Sequence, residues 1–409
     1  MPRKNEKLGV LTVGMGAVTT TLMGGVHAVR NGWGKPIGAL TQMKPFSELP
    51  LGLAELDDLV FAGWDIFPDN AYEAAQKAAV LDETLLKKMK PSLVSHKPMN
   101  GVYDPAYLPS LKGTHIKREK SKWALLQAVR NDIRTFLRKN KLSRAVLVLS
   151  HSVESYRPQN RALSTFDGFM RALKKNHPGI PPSMIYSAAA FLECVPVINA
   201  TPNNWGGMDL LSDMSAMSNI PFVGCDLKTG QTFLKSVIAP ALRKRCLGVS
   251  GWFSTNILGN RDGFVLDDPQ AFRSKERSKK AVLNDIFNPK EMPDLYGQFH
   301  HKVEINYYPP RGDNKEGWDN IDLFGWLGYP MQIKVNFLCR DSILAAPLVL
   351  DLVLLMDWAH RNGRSGPQDW LGFYFKSPVG SSTGKSSHDL SDQYARLEKL
   401  LTSSAGKLL

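Results

Sequence analysis

The stretch KLGVLTVGMGAVTTTLMGGVHAVR, residues 7–30, decides the fold. Lys7–Val13 reads as a short apolar strand, Gly14-Met15-Gly16 as a glycine turn, and Ala17–Arg30 as a helix. Strand, glycine turn and helix in that order form the first half of a dinucleotide-binding βαβ unit. Gly14 and Gly16, leading into Ala17 and Val18, let a backbone approach a pyrophosphate and aim helix amides at it. Thr19, Thr20 and Thr21 stand where the third glycine of that fingerprint is expected. The acidic residue expected about twenty positions on is absent. Taken alone, the turn is equally a cofactor turn or an ordinary tight turn. A second strand at Leu59-Val60-Phe61 runs into Gly63-Trp64-Asp65-Ile66 and favours the cofactor. An Asp at the end of strand two can take the adenosine ribose hydroxyls.

Farther along, Tyr72–Val80 and Asp82–Met89 read as helices, and residues 91–119 as a Pro/Gly-punctuated connection. Between Lys120 and Lys139, Trp123, Leu126, Val129, Ile133, Phe136 and Leu137 share one face, an amphipathic helix. Ala145–Leu149 and Val195–Ile198 read as buried strands. Strands alternating with helices indicate a mostly parallel α/β sheet. After about residue 230, Val303–Tyr308 and Met331–Phe337 alternate with turns, and no long helix intervenes before Asp341. That texture suggests a second module on an antiparallel or mixed sheet. The expected class is α/β: a Rossmann-type domain of residues 1–228 and 342–409, interrupted by an α+β domain at 229–341.

A chain of 409 residues has room for two domains or for one domain with an insertion. Its 43% hydrophobic and 22% charged residues are those of an ordinary globular protein. Cys194, Cys225, Cys246 and Cys339 are far apart with no CxxC spacing, which speaks against a disulfide framework or structural zinc and for the cytoplasm. The apolar run after Lys4 and Lys7 lacks a clean cleavage site and is read as a strand, not a signal peptide. Ile343–Met356 carries Asp351 and is too short to span a bilayer, so a buried helix and no membrane partner are expected. The net charge of +13 admits nucleic acid, yet suits a basic enzyme of anionic metabolites equally well.

Several segments have both a chemical and a structural reading. Asn199-Ala200-Thr201-Pro202-Asn203-Asn204 follows a strand and can bind a ligand at the sheet edge or close an Asx turn on itself. Thr229-Gly230-Gln231-Thr232 opens an apolar helix and suits a phosphate or a plain helix cap. Lys275 and Lys279, four apart, share a helix face that is either solvated or an oxyanion site of mutually depressed ammonium groups. Lys315 is read as a turn lysine, and Lys376 as the end of an apolar strand in Phe373-Tyr374-Phe375-Lys376. Asp341 can be the N-cap of the helix it precedes. The nine histidines form no metal-type cluster, and no metal is expected.

Taken together, Asp226–Thr232, Asn256–Gly263, Ser274–Lys279, Gly312–Lys315 and Asp341–Pro347 resemble the inositol-3-phosphate (myo-inositol-1-phosphate) synthase family over nearly the whole chain. The resemblance implies an NAD-binding Rossmann domain interrupted by a catalytic domain through which subunits form a homotetramer. It also implies conversion of glucose 6-phosphate to inositol 3-phosphate. In that reaction the C5 hydroxyl is oxidised, a proton leaves C6, the enolate carbon attacks the C1 aldehyde, and the C5 ketone is reduced again. By motif, Lys275, Lys279, Lys315 and Lys376 become catalytic lysines, with Asp262 and Asp341 beside them. Gly14, Gly16, Ala17, Val18, Asp65, Ile66, Asn70, Ser150, Thr201, Asp226 and Asp313 become cofactor residues. Thr229, Gly230, Gln231, Thr232, Asn256, Leu258, Asn260 and Lys315 become substrate residues.

The chain departs from the family in three places, as a divergent bacterial form would. Gly-Met-Gly-Ala-Val-Thr-Thr-Thr replaces the multi-glycine cofactor loop, Cys225-Asp226 replaces paired aspartates, and Ser150-His151-Ser152-Val153-Glu154 replaces Ala-Asn-Thr-Glu. Two rivals remain: a conventional NAD-dependent phosphosugar dehydrogenase, and a non-catalytic basic Rossmann protein that binds nucleic acid.

Overall fold

The computed structural model describes residues 6–158, 160–203, 205–266, 282–380 and 388–406. Among these, the first sheet holds β1 (Leu8–Val13), β2 (Leu59–Asp65), β3 (Met99–Asn100), β4 (Ala145–Leu149), β5 (Val197–Asn199), β6 (Pro221–Gly224) and an edge strand at Gly366–Pro367. All pair in parallel, in the order edge strand, β6, β5, β4, β1, β2, β3. Leu8 and Val10 pack into one core cluster while Leu11 and Val13 pack into another. A strand buried on both faces is therefore apolar throughout, which is why β1 and β4 read as continuous hydrophobic runs.

The helix Ala17–Arg30 (α1) and the helix Asp341–Arg361 cover one face of the sheet. The helices Lys122–Asn140 and Pro182–Leu192 cover the other. The chain leaves β1 toward β2 and β3, then returns to place β4, β5 and β6 on the opposite side. This reversal opens a crevice at the carboxyl ends of β1 and β4, where open α/β sheets bind ligands.

The second sheet comprises β7 (Gly248–Leu258), β8 (His300–Tyr307), β9 (Asn314–Phe324) and β10 (Pro330–Arg340), in the order β10-β9-β7-β8. β9 runs antiparallel to β7 and β10, while β8 runs parallel to β7, so the sheet is mixed. The helix Gly230–Lys244 packs on its inner face through Ala239 and Leu242 against Trp252, Ile321 and Leu323. Lys315 is not in a turn: it is the second residue of β9. Lys376 does not end a strand: it follows the 3-10 segment Asp369–Tyr374 and lies beside an isolated antiparallel bridge between Phe375 and Leu227.

The helix Asp341–Arg361 is long and apolar enough to cross a membrane, but it lies in the core. Asp351 in its middle is fully buried and binds the loop over the helix. Its oxygens accept from Leu40 N (2.8 Å), Thr41 N (2.9 Å), Thr41 Oγ1 (2.7 Å) and Tyr374 Oη (3.3 Å). Burial pushes its carboxyl up to about 6 against the pull of those donors. Asp351→Ala should cost ~3 kcal/mol, read as a lowered urea midpoint, because four donors, all but Leu40 N in buried hydrogen bonds, lose their acceptor. A midpoint equal to wild type would contradict this role.

Candidate active site

A cleft of about 430 Å³ opens at the carboxyl ends of β1, β2 and β4 and extends toward β9 and the start of the helix Asp341–Arg361. Gly14, Gly16, Ala17 and Val18 form one wall. Gly14 sits at φ +93°, and a Cβ there would lie 2.7 Å from the His151 Cα, so only glycine fits. Gly16 is the N-cap of α1 and offers no side chain to the free helix amides. A Cβ built on it would meet nothing within 4 Å. No acidic residue occupies the first turn of α1. This open, positively polarised helix start fits the diphosphate of a dinucleotide.

The threonines that replace the missing glycine close the turn. Thr19 Oγ1 donates to Gly14 O (2.7 Å) and Thr20 Oγ1 to Gly16 O (3.0 Å). Asp65 ends β2 beside them, with Oδ2 accepting from Met15 N (2.6 Å) and Oδ1 from Phe67 N (2.9 Å). Burial raises its pKa, while these amides and Arg261 oppose the shift. Each carboxylate oxygen keeps a lone pair for a ribose hydroxyl.

Ile66, Ser150 and Thr201 also line the cleft. Ser150 Oγ donates to Val13 O (3.0 Å), and Thr201 Oγ1 donates to Asn199 Oδ1 (2.7 Å). Asn199 thus closes an Asx turn after β5, its Nδ2 donating to Asn203 O (3.0 Å), while the Asn203 amide turns to Glu154 N (2.8 Å) and Ser152 O (3.1 Å). Asn70 is not part of the cleft wall. Its Oδ1 caps the helix Ala71–Ala78 by accepting from Tyr72 N (3.0 Å) and Glu73 N (3.1 Å).

Two lysine–aspartate pairs stand at the opposite end. Lys376 Nζ lies 2.8 Å from Asp226 Oδ1, with both residues buried. Lys315 Nζ lies 3.1 Å from Asp341 Oδ2. Asp341 does not cap its helix: Arg340 holds the N-cap position, and the Asp341 carboxylate turns to Lys315. Gly230, at φ +57°, leaves space beside this pair; a Cβ there would stand 3.8 Å from Lys315 Nζ and 3.7 Å from Asp341 Oδ1. Thr229 makes no side-chain cap, so the helix Gly230–Lys244 presents uncapped amides next to Lys315. That combination suits a phosphate.

The remaining expected residues divide. Asn260 lines the cleft and donates to Asp313 Oδ1 (3.1 Å), which also accepts from Ser342 Oγ (3.1 Å). Asp313 Oδ2 is buried without a partner among the described residues, and burial raises the carboxyl's pKa. Gln231 is consumed by the second sheet, donating to Thr255 O (3.0 Å) and Trp318 O (3.2 Å) and accepting from Asn256 Nδ2. Thr232 and Leu258 are buried away from the cleft wall. Lys275 and Lys279 lie outside the described residues. Asp262 is on the short helix Arg261–Leu266, and its side chain is likewise outside them.

Cys225, in place of an aspartate, is a thiol pushed up to about 12 by burial and accepts from Trp205 Nε1 (3.1 Å). Asp226 therefore faces Lys376 without a second carboxylate from the preceding residue. Sequence reasoning passed over Arg261, which lines the cleft with its guanidinium 4.5 Å from the Phe67 ring centroid. It also passed over Lys228, which is buried and donates to Gln393 Oε1. Burial lowers Lys228 to about 7 from 10.5, with Asp389 opposing. Between those values the unfolded chain holds a proton that the folded one has lost, so this group's contribution to stability rises with pH. The stability of Lys228→Met relative to wild type should fall steadily from about pH 7 to about pH 10 in urea titrations. A difference independent of pH would refute the buried, proton-poor amine.

Comparison with known proteins agrees with this geometry. The myo-inositol-1-phosphate synthase family profile matches residues 8–402. The chain is 48% identical to inositol-3-phosphate synthase 1 of Bacteroides thetaiotaomicron, across 98% of this chain and 96% of that protein. It is 33% identical to the Populus euphratica inositol-3-phosphate synthase 1, across 98% and 86% of the two chains. The crystal structure of inositol-3-phosphate synthase from Caenorhabditis elegans superposes with a TM-score of 0.91 at 27% identity, covering 98% of this chain and 86% of that one. The glycine turn, the Asp65 carboxylate and the uncapped α1 start are those of an NAD-binding site, and the chain belongs to the myo-inositol-1-phosphate synthase family.

Proposed function

We propose that this protein converts glucose 6-phosphate to inositol 3-phosphate by an internal redox cycle. The observation that carries the reading is the meeting, in one cleft, of a dinucleotide turn with the Lys376–Asp226 pair and with Asp341, the carboxylate that holds Lys315. A simple dehydrogenase needs a base for one hydroxyl. Oxidation, enolisation, ring closure and reduction need several proton carriers and cations around one sugar.

Bound NAD supplies a hydride acceptor that afterwards returns the hydride. The rest falls to the chain. The free amides at Gly230–Thr232, with Lys315 close by, bind the substrate phosphate. Lys376, buried beside Asp226, lies against the developing oxyanion at C5 and stabilises both ketone and enolate. Its proton, shared with Asp226, can be lent and recovered as the C5 oxygen changes charge. Lys315, held by Asp341, covers the other side. Lys275 and Lys279 complete the set by the family resemblance.

The domain division at 229–341 belongs to the same proposal, as does a tetramer. The outer face of the second sheet exposes Phe253, Trp318 and Leu338, and the hairpin after β9 exposes Trp326, Leu327 and Tyr329. Such a patch fits a second copy of this chain. The four free cysteines support a reducing, cytoplasmic setting.

Incubation with glucose 6-phosphate and NAD should yield inositol phosphate without accumulating NADH; accumulation of NADH with an oxidised sugar would mark a dehydrogenase instead. Lys376→Ala and Lys315→Ala should each lower kcat at least about a hundredfold while NAD affinity stays within about twofold. Near-normal turnover in either would remove that lysine from the chemistry. Light scattering should report four chains per particle, and Trp318→Asp should shift the mass downward; a monomeric wild type would refute the covered face.

A further inference from the structure

Residues 226–230 carry Asp226 at one end and the opening glycine of the phosphate-binding helix at the other. Asp226, Leu227 and Thr229 line the cleft. Lys228, between them, is buried and sends its amine elsewhere, donating to Gln393 Oε1 on the helix Leu390–Ala405. The reaction proposed above makes no use of this amine.

The buried residues of that helix are Gln393, Leu397, Leu401 and Ala405, spaced by four and therefore on one face. The last three pack in the core cluster that holds Trp370, Leu371 and Tyr374. Gln393 is the polar member of this apolar face. Its amide also stands against the segment that delivers Lys376: a Cβ built on Gly372 would lie 3.7 Å from Gln393 Nε2 and 3.3 Å from Pro378 Cβ. In the backbone, Lys228 N donates to Tyr374 O (2.8 Å) and Lys376 N to Asp226 O (2.7 Å). Gln393 thus touches both segments that meet at the Lys376–Asp226 pair. The helix is itself tied down, with Lys244 Nζ 2.6 Å from Asp389 Oδ2 and Arg396 Nη2 2.6 Å from Asp369 Oδ2.

Taking an amine and an amide out of water to meet each other gains little stability, and two methylene chains of that size would pack there without the desolvation. What the hydrogen bond adds over such packing is direction, since it holds only over a narrow range of distance and angle. We propose that Lys228 and Gln393 are positioning residues: their hydrogen bond ties residues 226–230 to the C-terminal helix and so sets where Asp226 holds Lys376 and where the helix amides at Gly230 meet the substrate. An amine donates N–H whether it is charged or neutral, so the tie persists through its titration. The inference rests on the synthase reaction proposed above.

Steady-state kinetics with glucose 6-phosphate and NAD, normalised to the fraction of protein that binds NAD, test it. Gln393→Met and Lys228→Met should each lower kcat/KM about tenfold, and the double variant should fall no further than the slower single. Gln393→Glu, which keeps an acceptor at the same reach, should stay within about threefold of wild type. A purely structural pair would lower the urea midpoint and leave kcat/KM per NAD-binding molecule at the wild-type value. That result would overturn the proposal, as would losses in the single variants that multiply in the double, or Gln393→Glu as slow as Gln393→Met. Should Gln393→Met fail to fold, Gln393→Asn, whose acceptor is withdrawn by one methylene, should show the same loss; wild-type turnover in it would overturn the proposal. Wild-type protein that binds NAD but forms no inositol phosphate would refute the reaction itself.

Discussion

The site depends on a backbone pairing between residues 224–228 and 374–379. Cys225 N donates to Ser377 O (2.7 Å), Ser377 N to Cys225 O (3.1 Å), Lys376 N to Asp226 O (2.7 Å) and Lys228 N to Tyr374 O (2.8 Å). Val379 N closes the run on Gly224 O (2.7 Å). This ladder joins the end of β6, the approach to the helix Gly230–Lys244 and a segment from the far end of the sequence. It places Lys376 on Asp226, and because Asp226 and Gly230 lie on the same short stretch, it also positions the phosphate cradle. Asp226 adopts φ +60° in the middle of it, a left-handed conformation that the surrounding hydrogen bonds maintain.

Taking an ammonium and a carboxylate out of water costs about as much as their attraction returns, so the Lys376–Asp226 pair is a poor source of stability. Its value is positional. A buried cation already held by fixed neighbours has no reorganisation left to do when charge develops beside it. The thiol at Cys225 fits this logic, since a neutral neighbour leaves the Asp226 charge to Lys376. The same economy appears around the glycine turn, where Thr19 and Thr20 bond inward to backbone carbonyls and leave the amides of α1 to the ligand.

The first sheet was legible because its strands are buried on both faces and carry little but apolar side chains. β1, β2 and β4 stand out for that reason, as does α1 after its glycine turn. β7 and β9 were not legible, because their inner faces hold polar residues. Asp319 accepts from Trp252 Nε1 (2.7 Å) and Ser254 Oγ (2.5 Å), and Asn256 binds Gln231, so hydrophobic alternation is lost where the strands are most buried. Lys315 looked like a turn residue for the same reason: the turn ends at Gly312, φ +53°, and the strand begins with polar side chains. The Asn70–Glu73 capping box was visible as Asn-x-x-Glu, a helix signal that a ligand reading overrode. Lys228 carried no sequence signal, since its significance lies in burial and in a partner far along the chain.

The central claim is that oxidation and reduction at C5 happen within one cleft and one turnover, with the hydride held throughout. Glucose 6-phosphate bearing deuterium at C5 tests it most directly, followed by mass spectrometry and NMR of the product. The account predicts inositol phosphate that retains the deuterium at the corresponding carbon, with none in free NADH. Loss of the label to the nicotinamide pool, or its accumulation there beside a keto sugar, would contradict it.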